Sequence, residues 1–284
     1  IVMSLALVTV VTYGINSAGG FAAVMDNARS LPGYLSLNNT FDAANNTSNS
    51  FSFISIVSTL AWGIGYFGMP HILVRFMAIE DEKKLTLSRR IASVWVVIAM
   101  TVGIFIGVVG LAMTKAGSLE NLADSETVIV RITGLISRHG VIAALIAGVI
   151  LAGILAATMS TSDSQLLTAA SGVSQNILHD FFHVEMDEKK SLLTARLTIV
   201  AIAVVAVFMA RDPNSSVFGI VSFAWAGFGA AFGAVMLCAL FWKRSTLAGA
   251  ISGMVAGGVM VFVWKYLVRP LGGAFDIYEL LPAF

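Results

Sequence analysis

The sequence predicts an all-α polytopic membrane protein of about seven transmembrane segments, and three observations carry that expectation. Of its 284 residues 57% are hydrophobic and only 12% charged, with a mean hydropathy of +0.88, whereas a soluble domain carries about 25% charged residues. Apolar runs near the roughly 20 residues that cross a hydrocarbon core recur at about 1–16, 52–77, 91–114, 141–167, 192–210, 216–242 and 247–268. Between them no stretch is large enough for an aqueous catalytic domain.

The first run, IVMSLALVTVVTYGI, opens at Ile1 without a start methionine or a basic leader region. At the other end LLPAF reads as the beginning of a further apolar element. The chain is therefore expected to be an internal piece of a longer protein. Residues 17–51, rich in Asn, Ser and Gly (SLNNTFDAANNTSNS), are expected to form a flexible loop. Its sequons at Asn38, Asn45 and Asn46, like that at Asn214, matter only in a secretory-pathway host, which is not the host expected here.

The second run, FISIVSTLAWGIGYFGMPHILVRFM (Phe53–Met77), carries no charge between Phe53 and Val74. Gly63, Gly65, Gly68 and Pro70 interrupt it. In lipid every backbone N–H and C=O needs a partner, so a broken helix survives only where protein covers it or it lines a watery cavity. Gly/Pro-interrupted spans point to the binding site of a secondary transporter. Ser55, Ser58, Trp62 and Tyr66 share one helical face. An indole and a phenol beside unwound backbone could wrap a small amphipathic solute, with Gly63, Gly65 and Pro70 exposing the backbone. The blander alternative is that Trp62 and Tyr66 pack between helices and the glycines only permit close approach.

Residues 115–140 show helical spacing at Val128, Ile132, Leu135 and Ile136, which predicts a short helix on the outer face. The run 141–167 ends in LAGILAATMSTSDSQLL. Here the carbonyl of Ala157 and the hydroxyls of Ser160 and Thr161 stand at i, i+3 and i+4, so three oxygens converge on one point. Sodium is a hard cation wanting about five or six oxygens, by analogy with other hard ions, and a helical carbonyl keeps a spare lone pair. Two or so further ligands must then come from another helix. Spacing alone leaves this open against simple back-bonding of Ser and Thr to carbonyls. Asp163 is the one acidic residue well inside an apolar span, a functional candidate by position; it could line an ion exit path, pair with an inner cation, or meet water. Arg75 is expected to snorkel or to pair with Glu80 or Asp81. Gly229 with Gly233, and Gly249, Gly253 and Gly257, recur every four residues as close-packing faces.

Loop charge sets the topology. With residues 17–51 outside, ten cations lie inside (Arg75, Lys83, Lys84, Arg89, Arg90, Lys189, Lys190, Arg196, Lys243 and Arg244). Seven lie outside (Arg29, Lys115, Arg131, Arg138, Arg211, Lys265 and Arg269). Net charge +1 argues against a nucleic-acid partner. Cys238 is the lone cysteine, so no disulfide framework or Cys-based metal site is expected. His179 and His183 sit beside an acidic–basic loop and read as solvated. No His/Ser/Asp or metal-ligand set lies inside the spans, so neither an enzyme nor a cofactor is expected.

Four stretches then resemble the sodium:solute symporter family: LAWGIGYFGMPHILVRFMA (Leu60–Ala78), ILAATMSTSDSQLL (Ile154–Leu167), VSFAWAGFGAAFG (Val221–Gly233) and ALFWKRSTLAGAISGMVAGGV (Ala239–Val259). The resemblance implies a leucine-transporter-type inverted-repeat fold, present here in part. Residues 1–16 would end the first repeat, 52–242 would form the second, and 247–268 would be a peripheral helix. It implies sodium held at Ala157, Ser160 and Thr161, with carbonyls of the first repeat's opening helix as the other ligands. It places the solute near Trp62, Tyr66 and Pro70. The expected activity is sodium-coupled import of L-proline by a multi-pass protein of the bacterial cytoplasmic membrane. Another small organic solute, or a transporter-like sensor module, are the alternatives. Three positions depart from the family pattern: Ala234 replaces a frequent proline, Met69 replaces a glutamine found in some members, and Asp163 is not universal.

Overall fold

The computed structural model describes residues 2–211 and 216–284, so the sequon at Asn214 lies outside the described residues. Among them, five helices are long and apolar enough to cross a membrane, and two further pairs bent at a short break bring the total to seven. All seven expected runs are helical, and the chain is a polytopic, predominantly α-helical membrane protein. The described residues cluster into two compact units, one within Ile1–Ser50 and Glu80–Thr161, the other within Phe51–Ile79 and Ser162–Phe284.

In the first unit α1 (Val2–Ser17) ends at Gly19 and Gly20, whose φ of +93° and +100° suits residues without a Cβ. The chain then turns through 78° into α2 (Phe21–Ser30). Residues 17–51 therefore hold more order than the Asn-rich composition suggested. Beyond α2, strand β1 (Asn39–Asp42) pairs antiparallel with β2 (Thr47–Ser50), Asn39 opposite Ser50. The turn is built by Asp42, whose carboxylate accepts from the N–H of Ala44 (3.0 Å) and the amide of Asn45 (2.8 Å). Those bonds, the Asn45 side chain foremost, hold its carboxyl below the ordinary aspartate range. Asn and Asp are good hairpin residues because their side chains bond nearby backbone.

The helix α3 (Phe53–Leu60), a 3-10 stretch (Ala61–Gly68) and α4 (Pro70–Met77) make the broken run and belong to the second unit. Back in the first, α5 (Lys84–Lys115) packs on α1 where Gly14 faces Val109, whose side chain fills the space a Cβ at Gly14 would need. The expected short helix forms as α6 (Val128–Ile136) and buries Ile132 and Ile136. With Val10, Val24, Val109 and Met113 these residues form the unit's core. Then α7 (Val141–Ser171) contributes Ala147 and Ile150 to that core.

A π-helical turn, Gly172–Phe181, extends α7 beyond the expected limit at 167. His179 there pairs with Asp180 at 2.8 Å. Helix α8 (Glu188–Met209) leaves Leu197, Val200, Val204 and Phe208 at least half exposed, as lipid-facing or partner-facing residues would be. Next, α9 (Val217–Phe228) runs through a π turn at Gly229–Gly233 into α10 (Ala234–Phe241). Ala234 keeps helical backbone there, where proline would withhold an N–H. Finally α11 (Leu247–Val263) continues irregularly to Leu271, and α12 (Leu280–Ala283) is a short turn packed back on the unit.

Candidate functional site

Two constellations stand out, one in each unit, and each is built from its own residues. The broken run bends by 50° between Phe53–Gly68 and Pro70–Met77. Its break has a local cause. The residue before a proline is pushed out of helical space, and Met69 takes φ −80°, ψ 110°. Pro70 then opens α4 at the first helical position, where a missing N–H costs nothing. Gly65 and Gly68 allow the 3-10 stretch to lie against the π turn of the α9–α10 run. A Cβ on Gly65 would strike the Trp225 indole, and one on Gly68 would strike the Phe228 carbonyl and, at 2.8 Å, the Cα of Gly229. Gly63, by contrast, faces open space.

Around that break the second unit assembles aromatics. Trp62 lies nearly parallel to Phe218, Trp225 and Tyr278, with centroids 5.3, 5.6 and 5.9 Å away. Tyr66 meets Trp225 edge-on at 4.7 Å. The indole N–H of Trp225 donates to the Trp62 carbonyl at 3.0 Å. Residues 218, 222, 225 and 229 of the α9 run share one face, which is why Phe218 and Trp225 reach the same neighbour. Trp62 and Pro70 are half-buried, Gly65 is buried, and Tyr66 is 51% exposed. The structure thus brings Trp62, Tyr66 and Gly65 together, while Gly65 is sealed by Trp225 and leaves Gly63 and Tyr66 as the open part of the group. Met69, next to the break, is 4% exposed. Trp225, Phe218 and Tyr278 went unnoticed in the sequence. The α9 spacing could have found the first two, but nothing local marks Tyr278.

Among the described residues Arg75 reaches Ser164 at 3.4 Å and no acid, and Glu80 pairs with Lys84 at 2.6 Å. Glu80 lies in the turn that leads into α5, whose first residue is Lys84, while Arg75 stands in the last turn of α4.

The other constellation lies on α7. The Ala157 carbonyl accepts from Ser160 Oγ at 2.9 Å and from Thr161 Oγ1 at 3.3 Å. The three oxygens do converge, and they do so through the back-bonding that was the bland alternative. The hydroxyls are on an exposed face. A cation there would need both protons to turn away from the carbonyl, leaving three oxygen lone pairs toward one point. Asp163 stands on the same helix, also exposed, and belongs to the other unit by contacts. Among the described residues no group of three or more His, Cys, Asp or Glu could hold a metal ion, so any ion bound here would rely on carbonyl and hydroxyl oxygen.

The chain matches the profile of the sodium:solute symporter family over residues 1–257. It is 35% identical to a sodium/proline symporter of Staphylococcus aureus over 290 residues, covering 100% of this chain and 54% of the relative. It is 39% identical to the osmoregulated proline transporter OpuE of Bacillus subtilis over 233 residues, covering 82% of this chain and 46% of the relative. The chain thus spans about half the length of the curated relatives it matches. No solved structure matches it significantly. The profile covers nearly all of the sequence and the Staphylococcus aureus relative aligns over the whole of it: the chain belongs to the sodium:solute symporter family.

Proposed function

We propose that this chain is the solute- and ion-handling part of a sodium-coupled symporter that imports L-proline across a bacterial cytoplasmic membrane. The aromatic group at the break of Phe53–Met77 carries the reading, and the proline transport named for both relatives supports the cargo. The fold behind it would be a five-plus-five inverted repeat. In that arrangement the broken run opens the second repeat, which spans 52–242; residues 1–16 close the first, and 247–268 lie outside both.

Proline is a compact ring bearing a carboxylate and a secondary ammonium. The open edge formed by Trp62, Tyr66 and Gly63 offers an aromatic wall for the ring, and the backbone at the break, before Pro70, offers polar partners for its charged ends. Sodium would bind at Ala157, Ser160 and Thr161, and its remaining oxygens would come from elsewhere in the complete transporter. Binding would cost the two hydroxyl–carbonyl bonds, each worth about 0.5–1.5 kcal/mol, so the site holds the ion only when further ligands are present. That requirement makes the ion select one conformation, and only such a preference can drive alternating access. Asp163, two residues beyond Thr161, would add negative charge to the path by which the ion leaves.

The test is uptake of labelled proline by the complete protein in liposomes, with and without an inward sodium gradient. Accumulation that needs the gradient and is competed by unlabelled proline supports cargo and coupling together. Gradient-driven uptake of a different solute from a panel would move the assignment within the family, and no uptake of any solute would favour a sensor role.

A further inference from the structure

The segment that follows α11 is built into the aromatic group. Tyr278 touches three elements at once. Its backbone N–H donates to Ser58 Oγ on α3 at 2.7 Å, its phenol donates to the Ser222 carbonyl on α9 at 2.6 Å, and its ring lies within 15° of parallel to Trp62. The residues beside it are anchored. Glu279 is 2% exposed and meets Arg269 at 3.0 Å and Lys265 at 3.7 Å, both from the end of the α11 span. A carboxylate this buried is costly unless paired, so its two cations fix the segment to that span. Arg269 also holds Asp276 at 2.8 Å. Leu280 is fully buried against Gly229, and Phe284 lies against Gly233.

We propose that Tyr278 is a positioning residue for the solute, acting through Trp62, and that residues 277–284 form a latch holding the first half of the broken run against α9. The proposal rests on the reading of Trp62 as a solute contact. Tyr278 fills one side of the Trp62 indole, and its phenol bond to Ser222 prevents the tyrosine ring from swinging clear. Trp62 is thereby kept in one orientation, stacked with Phe218, Trp225 and Tyr278. Ser58 ties the latch one turn earlier on the same run. None of these groups lies on α7, so the latch bears on the solute and not on the ion.

The experiment uses the complete protein in liposomes. Tyr278→Ala is expected to raise the half-saturating proline concentration about tenfold, the upper range of one aromatic pair. The maximal rate, the sodium dependence and the amount of protein should stay near their starting values. Tyr278→Phe, which keeps the ring against Trp62 and loses only the phenol bond, should give a smaller rise than Tyr278→Ala. A second readout does not depend on transport: in a cysteine-free background, Trp62→Cys should react faster with a maleimide once Tyr278→Ala is added. Unchanged proline affinity, or a fall in rate that only tracks lost protein, overturns the positioning role. Unchanged maleimide reactivity overturns the latch. Should the unsubstituted protein fail to move proline at all, the cargo assignment fails, and the maleimide rates still decide the latch.

Discussion

The indole N–H of Trp225 donates to the backbone carbonyl of Trp62 across 3.0 Å, joining α9 to the 3-10 stretch at the break. The same indole occupies the space a side chain on Gly65 would need. One side chain therefore supplies both a hydrogen bond to an irregular stretch of backbone and the packing that covers it, as a broken helix in lipid requires. Trp225→Phe keeps an aromatic ring and removes the donor. Leaving a covered carbonyl unpaired costs about 1–3 kcal/mol, so the purified protein should unfold at a lower temperature and, on the proposed reading of the site, bind proline more weakly. An unfolding temperature equal to that of the parent would show that this bond is not what holds the break.

The glycines of the broken run should separate cleanly. Gly65→Ala and Gly68→Ala force a Cβ into Trp225 and into the backbone around Gly229, and overpacking of this kind costs about 1–3 kcal/mol. Both should lower the yield of folded protein. Gly63→Ala meets no atom within 4 Å, so folding should be unaffected; if proline sits there, its apparent affinity alone should fall. Equal losses of folded protein across all three would contradict the packing described.

For the ion, Ser160→Ala or Thr161→Ala removes one of the three converging oxygens and leaves α7 apolar packing intact. A lost ligand to a charge is worth about 1.5–3 kcal/mol, or roughly ten- to a hundredfold in sodium affinity. Proline uptake measured against sodium concentration should shift by that amount with protein abundance unchanged. Identical sodium curves for both variants would remove the triad from the site.

The Asp42 turn gives a pH dependence with a definite sign. Its folded carboxyl titrates below the ordinary aspartate range because Asn45 and the Ala44 N–H bond the ionised form. The stabilisation is therefore complete above the unfolded value and is lost as pH falls through the lowered folded one. Hydrogen exchange in residues 39–50, corrected for its intrinsic pH dependence, should quicken only in strongly acidic solution. Asp42→Asn should abolish that step, and a step persisting in the variant would assign it to another group.

All seven apolar runs were legible because membrane-length hydrophobicity is a strong local signal. The break at Met69–Pro70 was legible for the same reason, since glycine and proline act on the residues beside them. The α6 helix followed from the spacing of Ile132 and Ile136. What escaped was non-local. Tyr278 meets Ser58 across 220 positions of sequence, and no window short enough to show periodicity contains both. The Asn-rich stretch before α3 was read by composition as mobile, although the Asp and Asn side chains that suggested mobility also close its hairpin. On α7 the Ser160 and Thr161 hydroxyls bond the Ala157 carbonyl, and spacing alone does not tell such back-bonding from an ion site.

The two glycines of the π turn differ in what opposes them, and that difference has a genetic consequence. A Cβ on Gly233 would be met at 2.6 Å by the Phe284 ring, with backbone no nearer than 3.5 Å. A smaller residue at 284 could make room, so a Gly233→Ala defect should yield second-site suppressors there. A Cβ on Gly229 would be met at 2.8 Å both by Leu280 and by the Cα of Gly65. Trimming Leu280 relieves one side and leaves main chain on the other, so an allele at 229 has no suppressor to find in the latch.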